Sequence, residues 1–520
     1  DAAATGSRAR ADAAIRWLRD YTETRLNSRI MDERRTVPPY VVLDLGNEGL
    51  LGLQVPQEYG GLGLGNGDTL RVFNAALPTA IDLSLATMLI VNDILGSRPL
   101  IHYSTPEVRS ALLPRIAAGR ELTAFAYTEP RAGSNIRGIA TKAVADGRGG
   151  WRISGKKIWI GLASWAGVIN VFAQLYDEQH NPLGISGFAL RQGTPGLSHG
   201  PEAMTTGMRA MVQNSVYLDE VRVGPESLLG EPGQGIETVV LDATMYTRLV
   251  MGAVSIGGTK RALQLMHRYA TRRTISTGRL LDNPHSLLRL SELTAATAAA
   301  EALITMTGSL LDAGFDVAGE AFVACKTAAP ELMGQAVDAL VQMLGGRGYL
   351  ETNIAPQLMR DARIFRIFEG PTETLNMYLG SRVINRRERI DRLLRDGLQA
   401  PLIAENLSAA AEQVRARSRM SSAPFEPSVA TRWAHIVTGE MATTALLAAA
   451  AQYLARQSGS AQMERAARWA TLTFEQQWQR ALSGSAIAER VLKGADALTD
   501  LVSSYAETIG DLEQSLPGEE

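Results

Sequence analysis

The stretch RIFRIFEGPTETLNMYLG, residues 363–380, joins two helix-forming segments through a break at Glu369, Gly370 and Pro371. Phe368 immediately precedes the carboxylate, so an acid stands beside an aromatic ring at a glycine–proline corner. Two interpretations compete. The carboxylate can be an ordinary acid in the first turn of a helix, facing solvent. Alternatively, it is a general base in an apolar pocket, where removal from water raises its affinity for a proton.

The composition is that of an ordinary soluble globular protein and excludes several classes of partner. The chain has 520 residues, of which 45% are hydrophobic and 20% are charged. That length suggests roughly three or four domains or layers. The formal charge of −2 provides no basic face for nucleic acid. The sequence contains no run of about 18 apolar residues that would predict a transmembrane segment, and its start lacks the apolar core of a signal peptide. We therefore expect a cytoplasmic protein.

The chain shows neither a disulfide framework nor a metal-binding pattern. Its single cysteine, Cys325, lies in an amphipathic segment and is interpreted as a buried small hydrophobe rather than a nucleophile. The six histidines lie far apart, without the paired spacing of metal ligands, so we expect no metal site. Residue 1 is aspartate rather than methionine, which suggests a trimmed chain or a domain cut from a longer protein.

The character of the sequence changes twice along the chain, which predicts an α+β protein that is mostly helical. Apolar residues recur at helical spacing in the first part, and short β-branched and aromatic runs separated by turn residues follow. Long helical periods then return and continue into the tail, with a break at RSRMSSAPFEPS. The predicted domains are an N-terminal helical domain (1–122), a middle antiparallel β-barrel-like domain (123–232), a C-terminal four-helix bundle (233–390) and a helical C-terminal extension (391–520).

Six short motifs occur in a defined order along the chain. They are LLGLQVPQEYGGLGL (50–64), AYTEPRAGSN (126–135), ISGKKIWIG (153–161), LLGEPGQGI (228–236), QMLGGRGY (342–349) and LMRDARIFRIFEGPTE (358–373). In this order they resemble the acyl-CoA dehydrogenase family of flavoproteins. Each motif alone is weak, but chance is a poor explanation for six ordered matches over about 350 residues.

The resemblance implies a catalytic role for the glycine–proline corner. In that family the corresponding glutamate removes the α-proton of an acyl thioester, and the β-hydrogen leaves as hydride to N5 of FAD, which yields a trans-2-enoyl product. Glu369 is thereby implied as the base, and Gly370 as a close backbone approach to the thioester. Some members carry the base on the long helix after the β-domain, but Thr247 occupies that position here. Arg248, which follows it, is implied to lie near the base and the substrate.

The resemblance also implies a set of FAD contacts. The backbone around Phe125–Tyr127 is implied to meet the flavin ring, and Trp159 to pack against it. Arg273 is implied to reach the FAD of a neighbouring subunit, so a homodimer or larger homo-oligomer follows. The implied cofactor residues are Phe125, Tyr127, Thr128, Ser134, Trp159, Ile160, Gly161, Arg273, Gln342, Gly345, Gly346, Pro371 and Glu373, and the implied substrate contacts are Ser134, Arg248 and Gly370.

Several positions depart from the family pattern and leave alternatives open. Gly161 replaces the threonine that usually bonds to flavin N5, and some acyl-CoA oxidases resemble this chain in that respect. The electron acceptor is therefore either an electron-transfer flavoprotein or O₂. Met211, Gln213 and Ser381 replace polar or cationic residues, which favours an acyl group on a carrier protein as the alternative to acyl-CoA. A non-catalytic helical scaffold of the same fold is a further alternative.

Overall fold

Helices build both ends of the chain, and a β-domain separates them in the computed structural model, which describes residues 2–75, 82–419, 427–483 and 495–511. Local chemistry starts several of the N-terminal helices: proline occupies the first turn at Pro39 and Pro106, and the Asp82 carboxylate accepts a hydrogen bond from the Leu85 N–H. These helices are α1 (Ala2–Thr24), α2 (Ser28–Arg34), α3 (Pro39–Asn47), α4 (Asn66–Ala75), α5 (Leu83–Leu89), α6 (Arg98–Tyr103) and α7 (Pro106–Ala117), with a π-helical segment at Ile90–Ser97.

The β-domain predicted from the sequence is confirmed, with one difference in strand pairing. Its strands are β1 (Leu122–Ala126), β2 (Lys142–Ala145), β3 (Trp151–Gly161), β4 (Ala166–Tyr176), β5 (Pro182–Arg191), β6 (Leu197–Glu202), β7 (Gln213–Val223) and β8 (Leu228–Leu229). The spatial order is β6-β7-β3-β2-β4-β5-β8, and β1 also pairs with β4. Both β1 and β2 run parallel to β4, so the sheet is mixed rather than purely antiparallel. Alternation of apolar residues within a strand does not encode the direction of its neighbours.

The predicted four-helix bundle follows the sheet. It comprises α8 (Leu241–Arg272), α9 (Pro284–Asp312), α10 (Gly319–Leu344) and, after α11 (Ile354–Arg363), α12 (Thr372–Asn385). A Cβ atom built at Gly252 would lie 3.3 Å from Cys325 Cβ, and one at Gly258 would lie 2.7 Å from Met333 Sδ, so α8 and α10 pack closely and run in the same direction. Burial raises the pKa of the Cys325 thiol to about 12, in keeping with a packing role.

The C-terminal extension is helical, and its described residues up to 483 pack into the same core as the bundle. Its helices are α13 (Glu388–Arg392), α14 (Pro401–Ser418), α15 (Pro427–Ser458), α16 (Ala461–Ser483), α17 (Ala495–Ser503) and α18 (Ala506–Ile509). Most of the predicted break at residues 417–428 lies outside the described residues. Helices α13 to α16 therefore add to the bundle, whereas α17 and α18 bury no side chain.

Helix α15 meets α12 at a contact that we call the glycine contact, formed by Gly380 and Gly439. A Cβ atom at Gly380 would overlap the carbonyl oxygen of His435, and a Cβ atom at Gly439 would overlap the carbonyl oxygen of Asn376. Only glycine permits backbones to approach this closely, so the two residues determine how α15 seats on α12.

Helix α15 is also tied to α10. The hydroxyl groups of Thr327 and Thr443 form a buried hydrogen bond of 3.1 Å between the two helices. The extension thus contacts α10 as well as α12, the helix that follows the glycine–proline corner.

Two helices among the described residues, Ile236–Arg272 and Pro427–Ser458, are long and apolar enough to span a membrane by length and composition. Their most apolar windows are 72% and 78% buried within the protein. This burial is what core helices of a folded bundle show.

Candidate active site

The corner that contains Glu369 has an unusual backbone. Glu369 adopts φ 57° and Gly370 adopts φ 103°, and Pro371 then caps α12. A non-glycine residue in the left-handed region costs about 1–2 kcal/mol, so the surrounding structure must hold it there. The rings of Phe365 and Phe368 pack edge to face with centroids 5.4 Å apart just before the corner. The chain thus reverses at an acid that is backed by aromatic side chains.

Two cations from neighbouring helices hold consecutive carbonyl groups of this corner. Arg248 Nε, on α8, donates to the Glu369 carbonyl oxygen at 3.1 Å. Lys326 Nζ, on α10, donates to the Gly370 carbonyl oxygen at 2.7 Å. The sequence predicted the position of Arg248 but not that of Lys326. A lysine within the apolar run AFVACKTAAPELM was the available signal.

The electrostatics of the corner suit a general base. Burial raises the pKa of the Glu369 carboxyl, and the charges of Arg248 and Lys326 oppose that shift. Burial lowers the pKa of Lys326 to about 8, while the nearby Glu369 carboxylate opposes the change. At the alternative base position, the Thr247 hydroxyl is buried and donates to the Ala243 carbonyl, so it has no acid–base role there.

The edge of β3 carries a second group of predicted residues. Trp159 adopts φ 56° where the pairing of β3 with β7 shifts register, and its side chain is 65% exposed. The Ile158 N–H donates to the Thr128 carbonyl at 3.0 Å, which places the Thr-Glu-Pro segment beside the indole. A large exposed ring on a bulged strand presents a flat apolar face to a ligand.

The remaining predicted residues of the β-domain contribute backbone rather than side chains to this edge. The Tyr127 ring is buried, with its centroid 5.5 Å from that of Phe172, and Ile160 is buried in the sheet. Phe125 is half-buried and also packs on Phe172, at 4.7 Å. The Ser134 side chain is exposed.

Gly161 lies where a side chain from another part of the β-domain takes the available space. A Cβ atom at Gly161 would lie 3.2 Å from Met211 Cε and 3.4 Å from Val91 Cγ2. The sequence identified both Gly161 and Met211 as departures from the family pattern, but not that they lie side by side.

A third group of predicted residues lies at the far end of the bundle. Arg273 follows Arg248 by 25 residues along α8, roughly 37 Å at the rise of an α-helix. Gln342, Gly345 and Gly346 lie at the corresponding end of α10, which runs parallel to α8. Arg273 and Gln342 are exposed, and a Cβ atom on either glycine would meet nothing within 4 Å.

The structure thus brings Glu369 and Gly370 together with Arg248, and Thr128 together with Trp159. Pro371 is half-buried beside Glu369, and Glu373 is exposed in the first turn of α12. In a single chain, the residues at the far end of the bundle do not join the corner.

Models of three consecutive domains match the chain in order. They are the acyl-CoA dehydrogenase N-terminal domain at residues 10–120, the middle domain at 124–221 and the C-terminal domain at 233–384. The chain belongs to the acyl-CoA dehydrogenase family. The boundaries of the matches fall close to the changes between helices and strands that the structure shows.

Individual acyl-CoA dehydrogenase relatives extend this result. The mitochondrial very long-chain specific acyl-CoA dehydrogenase of Mus musculus is 31% identical over 64% of this chain. This chain spans about half of that relative, since the match covers 51% of its length. The acryloyl-CoA reductase (NADH) of Anaerotignum propionicum is 29% identical over 68% of this chain and 89% of its own. The structure of an acyl-CoA dehydrogenase complexed with FAD from Bacillus anthracis covers 98% of this chain and 92% of its own, at 20% identity and a TM-score of 0.76, so its fold includes the extension.

Proposed function

We propose that the protein is an FAD-dependent oxidoreductase that introduces a double bond between the α- and β-carbons of an acyl thioester, carried by coenzyme A or by a carrier protein. One observation supports the role of the chain most directly: Glu369 lies at a strained corner, and Arg248 donates a hydrogen bond to its carbonyl group. Burial raises the pKa of the Glu369 carboxyl at this corner. Backbone strain of this kind clusters at functional sites, which favours a catalytic protein over a scaffold without catalysis. Family membership supports the reaction class.

In this proposal the chain's own residues hold the acid and move one proton. The Glu369 carboxylate takes the α-proton of the thioester, and its raised pKa makes it a stronger base than a carboxylate in water. Arg248 and Lys326 fix the backbone on either side of the corner, so the carboxylate does not need to be reoriented at the moment of proton transfer. FAD, when bound, accepts the β-hydrogen with its electron pair, which balances the loss of the α-proton and leaves the double bond.

The residues present fit a long cofactor with a flat ring. The exposed Trp159 face and the Thr128 segment suit the ring, and the open space above Gly345 and Gly346 suits close approach by part of the cofactor of a second copy. Visible absorbance typical of a flavin in the purified protein, released on denaturation, would support the proposal. Failure of the refolded or apo-protein to bind FAD would contradict it.

We expect Trp159→Ala to weaken FAD binding by up to about tenfold, because a stacking contact of about 0.5–1.5 kcal/mol is lost. The measurement is the dissociation constant from quenching of flavin fluorescence on titration of apo-protein. Trp17→Phe, a change at a stacked pair on α1, is the matched control and should leave the constant unchanged. Equal affinity in Trp159→Ala would show that the indole does not contact the cofactor.

The acceptor of the electrons is either an electron-transfer flavoprotein or O₂, and Gly161 provides a test. We expect Gly161→Thr to slow the reaction of the reduced protein with O₂ several-fold, since a hydroxyl that bonds to the flavin contributes about 1 kcal/mol. Gly161→Ala is the control, because it adds the same Cβ atom against Met211 without the hydroxyl. Anaerobic reduction followed by rapid mixing with oxygenated buffer measures the rate. Equal rates in the two variants would exclude the hydrogen bond as the cause.

A homodimer, or a larger homo-oligomer, is also part of the proposal. Arg273 and Gln342 are exposed at the end of the bundle opposite to Glu369, so within one chain they are too distant to serve the same ring as the base. A second copy could bring them to the cofactor of the first.

A further inference from the structure

Lys326 is a buried ammonium group whose surroundings require an explanation. Its side chain is completely buried, and burial lowers its pKa to about 8. Removing an ammonium group from water is costly unless a partner compensates. Its Nζ atom donates a hydrogen bond to the Gly370 carbonyl, a neutral acceptor.

The charges around Lys326 identify the group that compensates it. The Glu369 carboxylate stabilises the charged form of Lys326 most strongly. The charge of Arg248 destabilises that form, and Glu331 and Glu373 stabilise it less. Glu331 pairs with Arg366 at 2.7 Å, and Glu373 is exposed to solvent, where its charge is screened. Tyr378 also faces Arg248. Among these acids, Glu369 therefore has the strongest electrostatic interaction with Lys326.

The segment of α10 around Lys326 lacks one helical hydrogen bond and is bonded to α15. Pro330, four residues later, has no N–H to donate to the Lys326 carbonyl, so the helix lacks its usual bond at this point. Thr327, the next residue, is bonded to Thr443 of α15. Lys326 therefore lies at a point where α10 lacks one backbone hydrogen bond and where a hydrogen bond to α15 stabilises the helix. A buried charged residue at such a point indicates a role beyond packing.

We propose that Lys326 is a positioning residue for the base: it anchors the Gly370 carbonyl and, through its charge, keeps Glu369 ionised at neutral pH. This inference rests on the proposed function, because it assigns a task to Lys326 only if Glu369 is the base. Arg248 supplies part of the same charge, but it bonds to the preceding carbonyl. Lys326 therefore differs from Arg248 in the peptide group that it holds.

The experiment is a pH titration of the Glu369 carboxyl itself. Infrared difference spectra of the purified protein across pH contain a protonated-carboxyl band, and the band that disappears in Glu369→Gln belongs to Glu369. In Lys326→Gln, which keeps a hydrogen-bond donor but loses the charge, we expect the apparent pKa of Glu369 to rise by about one unit or more. Lys326→Arg should restore most of the wild-type value. The acid limb of the rate of substrate-dependent flavin reduction should move in the same direction.

The controls separate a charge effect from a loss of folding. Lys326→Met removes both charge and donor at similar length, and it replaces Lys326→Gln if the latter does not fold. Lys260→Gln, at a partly exposed lysine that pairs with Glu301, should leave the Glu369 band unchanged. An unaltered Glu369 titration in folded Lys326→Gln or Lys326→Met would overturn the proposal. Because the infrared titration needs no turnover, it measures the effect of Lys326 on Glu369 separately from the activity of Glu369→Gln, so failure of this proposal and failure of the proposed function are distinguishable.

Discussion

Replacing Glu369 by glutamine is expected to lower the rate of α,β-desaturation by a factor of at least about 10²–10⁴, while the flavin stays bound and the fold intact. The amide has the shape of the carboxyl group but cannot accept the α-proton. The contacts that position residue 369 use its backbone carbonyl, so the substitution leaves the bond from Arg248 in place. Rapid mixing of the protein with an acyl thioester, followed by the loss of flavin absorbance, measures the proton-transfer-dependent step.

Glu388→Gln is the matched control for that experiment, since Glu388 is an exposed acid at the start of α13 and has no part in the proposed site. It should retain wild-type rates. Retention of most of the turnover in Glu369→Gln would mean that another residue is the base. In the wild-type protein the rate should fall as pH falls, because burial raises the pKa of Glu369 and the carboxylate is therefore protonated at a higher pH than an ordinary glutamate.

Gly439→Leu is expected to destabilise the protein by at least about 1–3 kcal/mol, because its side chain would occupy the position of the Asn376 carbonyl oxygen on α12. Gly439→Ala is the sharper test, because the sign of its effect on the free energy of unfolding depends on whether the glycine contact forms. In an exposed helix this change stabilises by up to about 1 kcal/mol, whereas overlap at the glycine contact predicts a loss of stability. The midpoint of urea unfolding, followed by circular dichroism, measures both variants.

Gln457→Ala, at an exposed position of the same helix, is the control and should leave the midpoint nearly unchanged. Stabilisation by Gly439→Ala would show that α15 does not lie against α12 as closely as the structure indicates. Since α12 begins next to the corner, folded Gly439 variants should also show slower flavin reduction than the wild type.

The features that sequence reasoning could predict are those with a local signal. The return of long helical segments after the β-domain was predicted from the sequence, and α8, α9 and α10 confirm it. The corner at Glu369 was visible because glycine and proline interrupt helix-forming residues. The role of Arg248 depended on resemblance to a family, since its own segment reads as an ordinary helix edge.

The features that could not be predicted depend on contacts between distant parts of the chain. The parallel pairing of β1 and β2 with β4 is set by how strands assemble, and the contact of Met211 with Gly161 by how loops fold back on the sheet. Lys326 lies 44 residues before Gly370, so no spacing rule links the two. The contact between the glycines of α12 and α15 could not be predicted either, because a glycine within a helix commonly indicates only a weak helix propensity.

The glycine contact bears on the order in which parts of the chain pack during synthesis. Gly439 is 69 residues beyond Gly370 in the chain (439 − 370 = 69), so the ribosome releases the acidic corner well before the helix against which α12 packs. Contacts separated by this much chain form late, because the intervening loop has to close first. A nascent chain that ends after α12 would expose the small-residue face of that helix to water and to wrong partners. We therefore expect α12, which follows the Glu369 corner, to reach its final packing only after the chain through α15 has been synthesised.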